Sequence, residues 1–451
     1  MIEYEPAAPR RVNDKEWGMR RVEKKTQENG RAALLRQDAG GIDVGANELY
    51  VAVPPDRTAQ SVRCFGVFTE DLQALTRWLK ECGVKTVAME STGVYWIAPH
   101  EILEAAGIEV YLVNARHVHN VPGRKTDVQD CQWLQYLHSV GLLRASYIPS
   151  QDIRAVRALI RHRDMLVRTA SSHIQHMQKA LNQMNLHLHN VISDITGKTG
   201  LAIIDAILAG ERDRNRLAAL RDSRIKVDQA TIAKSLEGNY RPEHVFTLRQ
   251  SLELYRFYQR KIGEVDAQMQ AMLQALDKSE EPPAADWQEQ YARLMGTDLG
   301  AIQGISTQTM HVIYSELGGD MSDFPSEKHF CSWLGVSPNN RISGKRILSS
   351  RTSRSANRVA HALRSAANTL HRSQSQLGFY FRRMKARLGS PMAITATAHK
   401  LARIVYHMLK TRQPYDETVF ARNEVLHKQR LENRLRRQAQ TLGFELVAVT
   451  P

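Results

Sequence analysis

Four carboxylates in this chain have the spacing and surroundings to do chemistry: Asp43 in GIDVG, Glu90 in AMESTG, and Asp127 with Asp130 in KTDVQD. The first falls near the end of an expected strand and the second closes another. The last two open an expected helix, three residues apart and so on one face of it. Oxygen ligands gathered from separate elements suit a hard divalent cation such as Mg2+. Two such ions roughly 3.5–4 Å apart are the usual device for in-line displacement at a phosphodiester. A lone Asp in a strand-end turn is more often a hydrogen-bonding turn residue. Four acids that one topology would gather read instead as a nuclease-type centre.

The elements that would gather them lie between about residues 40 and 147. AGGIDVG and ELYVAV form two strands around a Gly-Ala-Asn turn, and SVRCFGV forms a third. TEDLQALTRWLKECG then reads as an amphipathic helix, KTVAME as a buried strand, YWIAPHEILEAAG as a helix and IEVYLVN as another buried strand. KTDVQDCQWLQYLHSVG closes the unit as a helix, entered through a basic loop with Arg124 and Lys125. A three-strand meander followed by alternating helix and strand predicts a mixed sheet with helices against it. In such sheets ligands collect at the carboxyl ends of strands.

Beyond this unit the chain turns helical. RAVRALIRHRDMLVRTASSHIQHMQKALNQMN runs some thirty positions without proline or glycine, and a second long helix is expected over roughly 243–277. The pair predicts an antiparallel hairpin or coiled coil, suited to holding copies of the protein together. His173, His176, His187 and His189 lie here without acidic or cysteine partners and read as polar helix faces. SEEPPAAD at 279–286 is a proline-bearing break and a candidate junction. LGAIQGISTQTMHVIYSELGG reads as two helices around a Gly-x-x turn, either a backbone-binding helix-hairpin-helix element or a plain helical hairpin. A loop rich in Ser, Gly and Arg follows WLGVSP and leads into a basic helix. Arg354, Arg358 and Arg364 there would line up along a phosphate backbone.

Charge placement says more than the net +15. From Lys328 to Tyr415 there are 17 Lys and Arg and no Asp or Glu, more than the excess of the whole chain. Such a stretch repels itself unless a polyanion neutralises it, which points to nucleic acid and salt-sensitive binding. The four cysteines are scattered without CxxC spacing, against both a disulfide framework and structural zinc. No apolar run approaches the roughly 20 residues that span a bilayer, and the N-terminus lacks the apolar core of a signal peptide. A cytoplasmic protein, nucleoid-associated when acting and with no membrane partner, is expected.

Taken together, GIDVG, AMESTGVYW, KTDVQDCQWL, IQGIS and DFPSEKHFCSWLGVSPNNRISGKR…SRSANRVAHALRSAA resemble the DEDD transposases of the insertion-sequence 110 family, in its 1111-type branch. The likeness covers about residues 40–190 and 295–412. It implies an α/β plus all-α fold: a RuvC-like, RNase H-type mixed-sheet domain, a long helical coiled-coil middle section and a mainly helical C-terminal transposase domain. The implied divisions are an extension at 1–39, the DEDD domain at 40–147, the helical region at 148–292, the transposase domain at 293–415 and a tail at 416–451. Asp43, Glu90, Asp127 and Asp130 would hold Mg2+, two ions per site, and Ser343 would attack DNA to form a covalent phosphoserine link. A serine hydroxyl needs such activation to be a nucleophile. Arg341, Lys345 and Arg346 would offset phosphate charge, and Arg351 would add to the nucleic-acid surface.

Family members also use a noncoding RNA of their own element, which would leave sequence choice to base pairing. DNA, this guide RNA and further copies of the chain, as a dimer or tetramer, are therefore the expected partners. Ser349, Ser350, Ser353 and Ser355 crowd the same loop as rivals that would only hold phosphate. The main alternative is a RuvC-like resolvase or nuclease in which activated water attacks and no adduct forms. An actin-like ATPase also uses an Asp-x-Gly strand end, but residues 150–451 offer no second glycine-rich phosphate loop. A purely structural DNA-binding protein would leave the four acids inert.

Overall fold

The computed structural model describes residues 34–114, 126–344, 346–353 and 355–445. Arg124, Lys125, Lys345 and Arg354, with most of the N-terminal extension, lie outside the described residues. The chain divides into two compact units after Ile148.

In the first unit, alternating apolar residues in AGGIDV and ELYVA bury one strand face and produce β1 (Ala39–Val44) and β2 (Glu48–Ala52), paired antiparallel. Glu48 accepts from the Gly45 amide at 3.0 Å to close their turn. β3 (Val62–Gly66) pairs antiparallel with β2. β4 (Thr86–Glu90) and β5 (Glu109–Val113) extend the other edge in parallel, giving the order β3-β2-β1-β4-β5. This is the expected mixed sheet. Its first face carries Ile42, Val44, Leu49, Val51, Val87 and Met89. Against them pack Leu72, Leu75 and Leu79 of α1 (Thr69–Glu81) and Leu103 of α2 (Ile97–Ala105).

The opposite face receives α3 (Asp127–Ser139), whose Leu134 and Leu137 pack on Ala88 and Val113. Near its far end the buried His138 ring lies 2.9 Å from the Thr86 hydroxyl, which fixes that end to the start of β4. Burial, helped by the Arg36 charge, pushes the His138 pKa down to about 4, so the ring stays neutral.

The second unit is helical apart from one small sheet. α4 (Gln151–Gln183) runs antiparallel to the long α9 (Pro242–Leu276), as the sequence predicts. Arg163 pairs with Asp266 at one level of this hairpin, and His173 stacks on Tyr258 at the next. Between them come α5 (Leu188–Val191), α6 (Lys198–Leu208), α7 (Arg214–Ala219) and α8 (Gln229–Ser235), which close a core around Leu181, Ile203, Leu217 and Leu248. The proline-bearing break at 279–286 separates α9 from α10 (Trp287–Met295). Arg293 of α10 ties it back to Asp277 and to the Pro282 carbonyl.

LGAIQG is a single 3-10 turn, Leu299–Ala301, rather than the expected first helix of a pair. The Asp298 carboxylate caps Gly300, and Gly304 follows at φ +92, where α-helix cannot continue. α11 (Thr307–Leu317), capped by Ser306, then runs through the core with every residue from Thr309 buried. Of the helices that follow, α12 (Glu327–Leu334), α13 (Arg358–Thr369), α14 (Gln376–Leu388) and α15 (Ser390–Thr411), α13 packs on α11, and α15 packs on the other three. The two-stranded hairpin of β6 (Arg341–Ser343) and β7 (Arg346–Ser349) stands before α13, and α16 (Thr418–Thr441) forms the tail.

One acid organises the junction of α4, α11 and α13. Glu316, 8 % exposed, takes a bidentate grip from Arg161 at 2.9 and 3.1 Å. It also lies 3.3 Å from Arg157 and 3.5 Å from Arg358. Arg358 pairs in addition with Asp164. Removing one member of such a buried network strands the others. Glu316→Ala is therefore expected to cost about 3–5 kcal/mol in urea unfolding, with Glu316→Gln costing less because it keeps hydrogen-bond acceptance.

Candidate active site

The sheet brings the sequence-predicted acids together at the carboxyl ends of β1 and β4. Ile42 pairs with Met89 in the parallel register, so Asp43 and Glu90 follow at one level on neighbouring strands. Asp43 shares its face with Gly41, two residues before it, and that is the face α3 covers. Thr126 caps α3 by accepting from the Gln129 amide at 3.3 Å, which places Asp127 and Asp130 in its first turn. There the partial positive charge of the helix N-terminus favours anions. Carboxylate oxygens of Asp43, Asp127 and Asp130 all lie within 4.8 Å of one another. Glu90 stands outside that grouping but acts on Asp43 through its charge.

The approach of α3 to β1 depends on a residue that the four-acid pattern does not mark. A Cβ on Gly41 would sit 2.3 Å from the Cys131 carbonyl oxygen and 2.3 Å from the Gln135 amide nitrogen. Helix backbone thus rests directly on strand backbone, and the Gln135 side chain donates to the Ala39 carbonyl at 3.1 Å beside it. Cys131, expected as a small buried residue, is fully buried in this seam, with its thiol pushed up to about 12 by burial. A doubled glycine before an Asp-bearing strand end was the available signal; which face would be crowded was not readable without the packing.

Crowding raises the Asp43 pKa to about 6, through burial first and then the charges of Glu90, Asp127 and Asp130. An all-oxygen cluster whose central acid is held from ionising by its neighbours fits a divalent cation, which would offset that repulsion. With the folded pKa above the ordinary 3.8, Asp43 favours the fold at low pH and loses that contribution as pH rises from about 4 through about 6.

In the second unit, Ser343 ends β6 and is exposed. It pairs across the hairpin with Arg346. Gly344, next in the chain, takes φ +52, in the left-handed region that favours glycine. Where the sequence suggests a loop, Arg341, Arg346 and Arg351 stand exposed on this hairpin and its base. Arg364 is half-buried and reaches the Gly335 carbonyl at 3.4 Å. Arg358, expected at a phosphate backbone, pairs here with Asp164 and Glu316.

Two measurements check the acidic cluster. Mg2+ or Mn2+ is expected to raise the melting temperature of wild type at neutral pH, with the gain fading as pH falls through about 6. Asp43→Asn should abolish the gain and stabilise the ion-free protein by about 1 kcal/mol, a figure reduced for solvent screening. Gly41→Ala should also remove the ion-induced gain, while costing about 1–3 kcal/mol by overpacking. An unchanged ion response in Gly41→Ala would show that the helix seam does not set the site.

A family model described as a transposase, DEDD_Tnp_IS110, matches residues 40–186 and so contains all four acids. A second, described as the transposase IS116/IS110/IS902 family, matches residues 297–381 and contains the β6–β7 hairpin. No curated protein matches the chain. The mixed sheet agrees with an RNase H-like DEDD domain, and DEDD transposases generally use divalent metals, for which the Asp43–Asp127–Asp130 cluster is the possible site here. No helix among the described residues is long and apolar enough to cross a membrane. Carrying both domains of an IS110 family transposase, in order, the chain is a DNA transposase.

Proposed function

We propose that this transposase excises and inserts its own mobile element through a Ser343–DNA covalent link, with Asp43, Glu90, Asp127 and Asp130 as its Mg2+ site. The observation that carries the reading is the placement of Ser343 on an exposed hairpin, directly across from Arg346. A nucleophile that must reach a phosphate inside a nucleic acid needs that exposure, and a guanidinium beside it matches phosphate geometry.

In the chemical step a bond forms between the Ser343 Oγ and phosphorus as one P–O bond of the DNA breaks. The hydroxyl proton leaves through solvent and the released DNA oxygen gains one. Phosphodiester bonds are conserved in number, so attack by another strand's hydroxyl can reverse the step and release the serine. Bound Mg2+ would supply charge neutralisation at the reacting phosphate. Arg341 and Arg346 would hold the phosphate and offset the charge that develops on it.

The acid-free stretch from Lys328 to Tyr415 supports contact with both DNA and a noncoding RNA that selects the target by base pairing. The long α4–α9 hairpin supports assembly of several copies. On this reading, the five sequence divisions beginning at residues 1, 40, 148, 293 and 416 are successively an extension, metal-binding, assembly, strand-transfer and tail segments.

Trapping the adduct tests the reading. Wild type, Ser343→Ala and Asp43→Ala are incubated with the element's junction DNA, its RNA and Mg2+, then separated under denaturing conditions. A protein–DNA adduct in wild type alone is the expected result. Cleavage that persists in Ser343→Ala without any adduct would replace serine attack by metal-activated water.

A further inference from the structure

The β6–β7 hairpin is too exposed to be at rest alone. A bridge between Pro338 and Thr352 and a 3.1 Å bond from the Asn339 amide to the Arg351 carbonyl extend its ladder past the named strands. From Pro338 to Gly344 the arm reaches about 20 Å at the rise of a strand. Ile342, Ile347 and Leu348 are 62 %, 59 % and 64 % exposed. An isolated two-stranded ribbon is marginal in water, and large apolar side chains grouped on an arm mark an interaction surface.

The register sorts these side chains. Ile342 lies opposite Ile347, so the two isoleucines share one face near the tip. Ser343 lies opposite Arg346 on the other face, and Leu348 falls where a register shift opposite the Arg341–Ile342 step interrupts the alternation. The arm is thus apolar on one side of its tip and carries serine and arginine on the other. Arg341 and Arg351 flank it, inside a stretch that contains no acid.

We propose that this arm is a wedge for duplex DNA, in which the Ile342–Ile347 pair inserts at a base step and unstacks it. Branched apolar side chains are the wedges with which DNA-bending proteins open base steps, and flanking arginines hold the adjoining phosphates. The arm is longer than either groove of B-DNA is deep, about 8 Å. Charge complementarity selects nucleic acid over a second copy of this equally basic segment. A stacked duplex, rather than single-stranded RNA, gives the isoleucines something to separate. The wedge rests on the reading of the hairpin as the strand-cutting arm, because it would turn the Ser343–Arg346 face toward the phosphate beside the opened step.

The test places 2-aminopurine, whose fluorescence rises on unstacking, at successive steps around the cut site of the junction duplex. Full-length Ser343→Ala protein, which binds without cutting, is added together with the element's RNA. A several-fold fluorescence rise at one step is expected, largely lost when Ile342→Ala and Ile347→Ala are added. These exposed substitutions should leave the melting temperature unchanged and duplex affinity within a few-fold. In the Ser343 background, cutting by the double isoleucine variant should recover on a duplex carrying a mismatch at that step. An equal rise with and without the isoleucines overturns the wedge. So does a response to the RNA alone, or a change in oligomeric state on isoleucine removal with no change in fluorescence. If wild type forms no adduct yet the isoleucine-dependent rise persists, the serine mechanism fails and the wedge stands.

Discussion

The acidic centre exists because one helix lies directly on one strand. At Gly41 there is no side chain between the β1 backbone and the backbone of α3, and a single Cβ would overlap atoms that cannot swing aside. Everything else at the site hangs on that distance. Asp43 is fixed by the sheet, Asp127 and Asp130 by the first turn of the helix, and the seam sets the gap between them. The Thr86–His138 contact holds α3 near its opposite end, so the helix is located at two points. The electrostatic strain at Asp43 follows from the same packing. A looser seam would leave ordinary surface carboxylates, easy to ionise and poor at concentrating charge on an ion.

Much of this was readable from residue order. The strand and helix sequence of the first unit is written in its alternation and amphipathic spacing, and the four acids sit where those elements end. Asp127 and Asp130 were legible as a pair because helix geometry is local. Gly41 was not, since a close approach is a property of two segments about 90 residues apart. The β6–β7 hairpin was masked by its own composition: Ser, Gly and Arg dominate, and its apolar residues have no core to face. The first half of the expected helical pair was lost to an Asp298 cap and a left-handed Gly304, both local choices that outweigh apolar spacing.

The arginines show the limits of counting charge. Arg358 and Arg364 belong to one basic helix, and the sequence offers both to a phosphate backbone. Yet Arg358 is held by Asp164, 194 residues earlier, and by Glu316. Those acids lie outside the acid-free stretch and reach into it from α4 and α11. A long basic run is therefore partly neutralised by the fold, and the excess left for nucleic acid is smaller than the sequence suggests. Between Arg341 and Arg364 that excess is focused on the hairpin rather than along α13.

That focus has a consequence for the protein before it meets DNA. The hairpin offers unpaired strand edges and three bare apolar side chains, the features through which identical chains zip together edge to edge. Arg341, Arg346 and Arg351 sit in and beside those strands as like charges that would face each other in any such pairing. The residues suited to phosphate thus double as gatekeepers against self-association. On the proposed reading, solubility and DNA engagement are one property of the arm, and neutralising its charge without filling its surface would trade the second for aggregation.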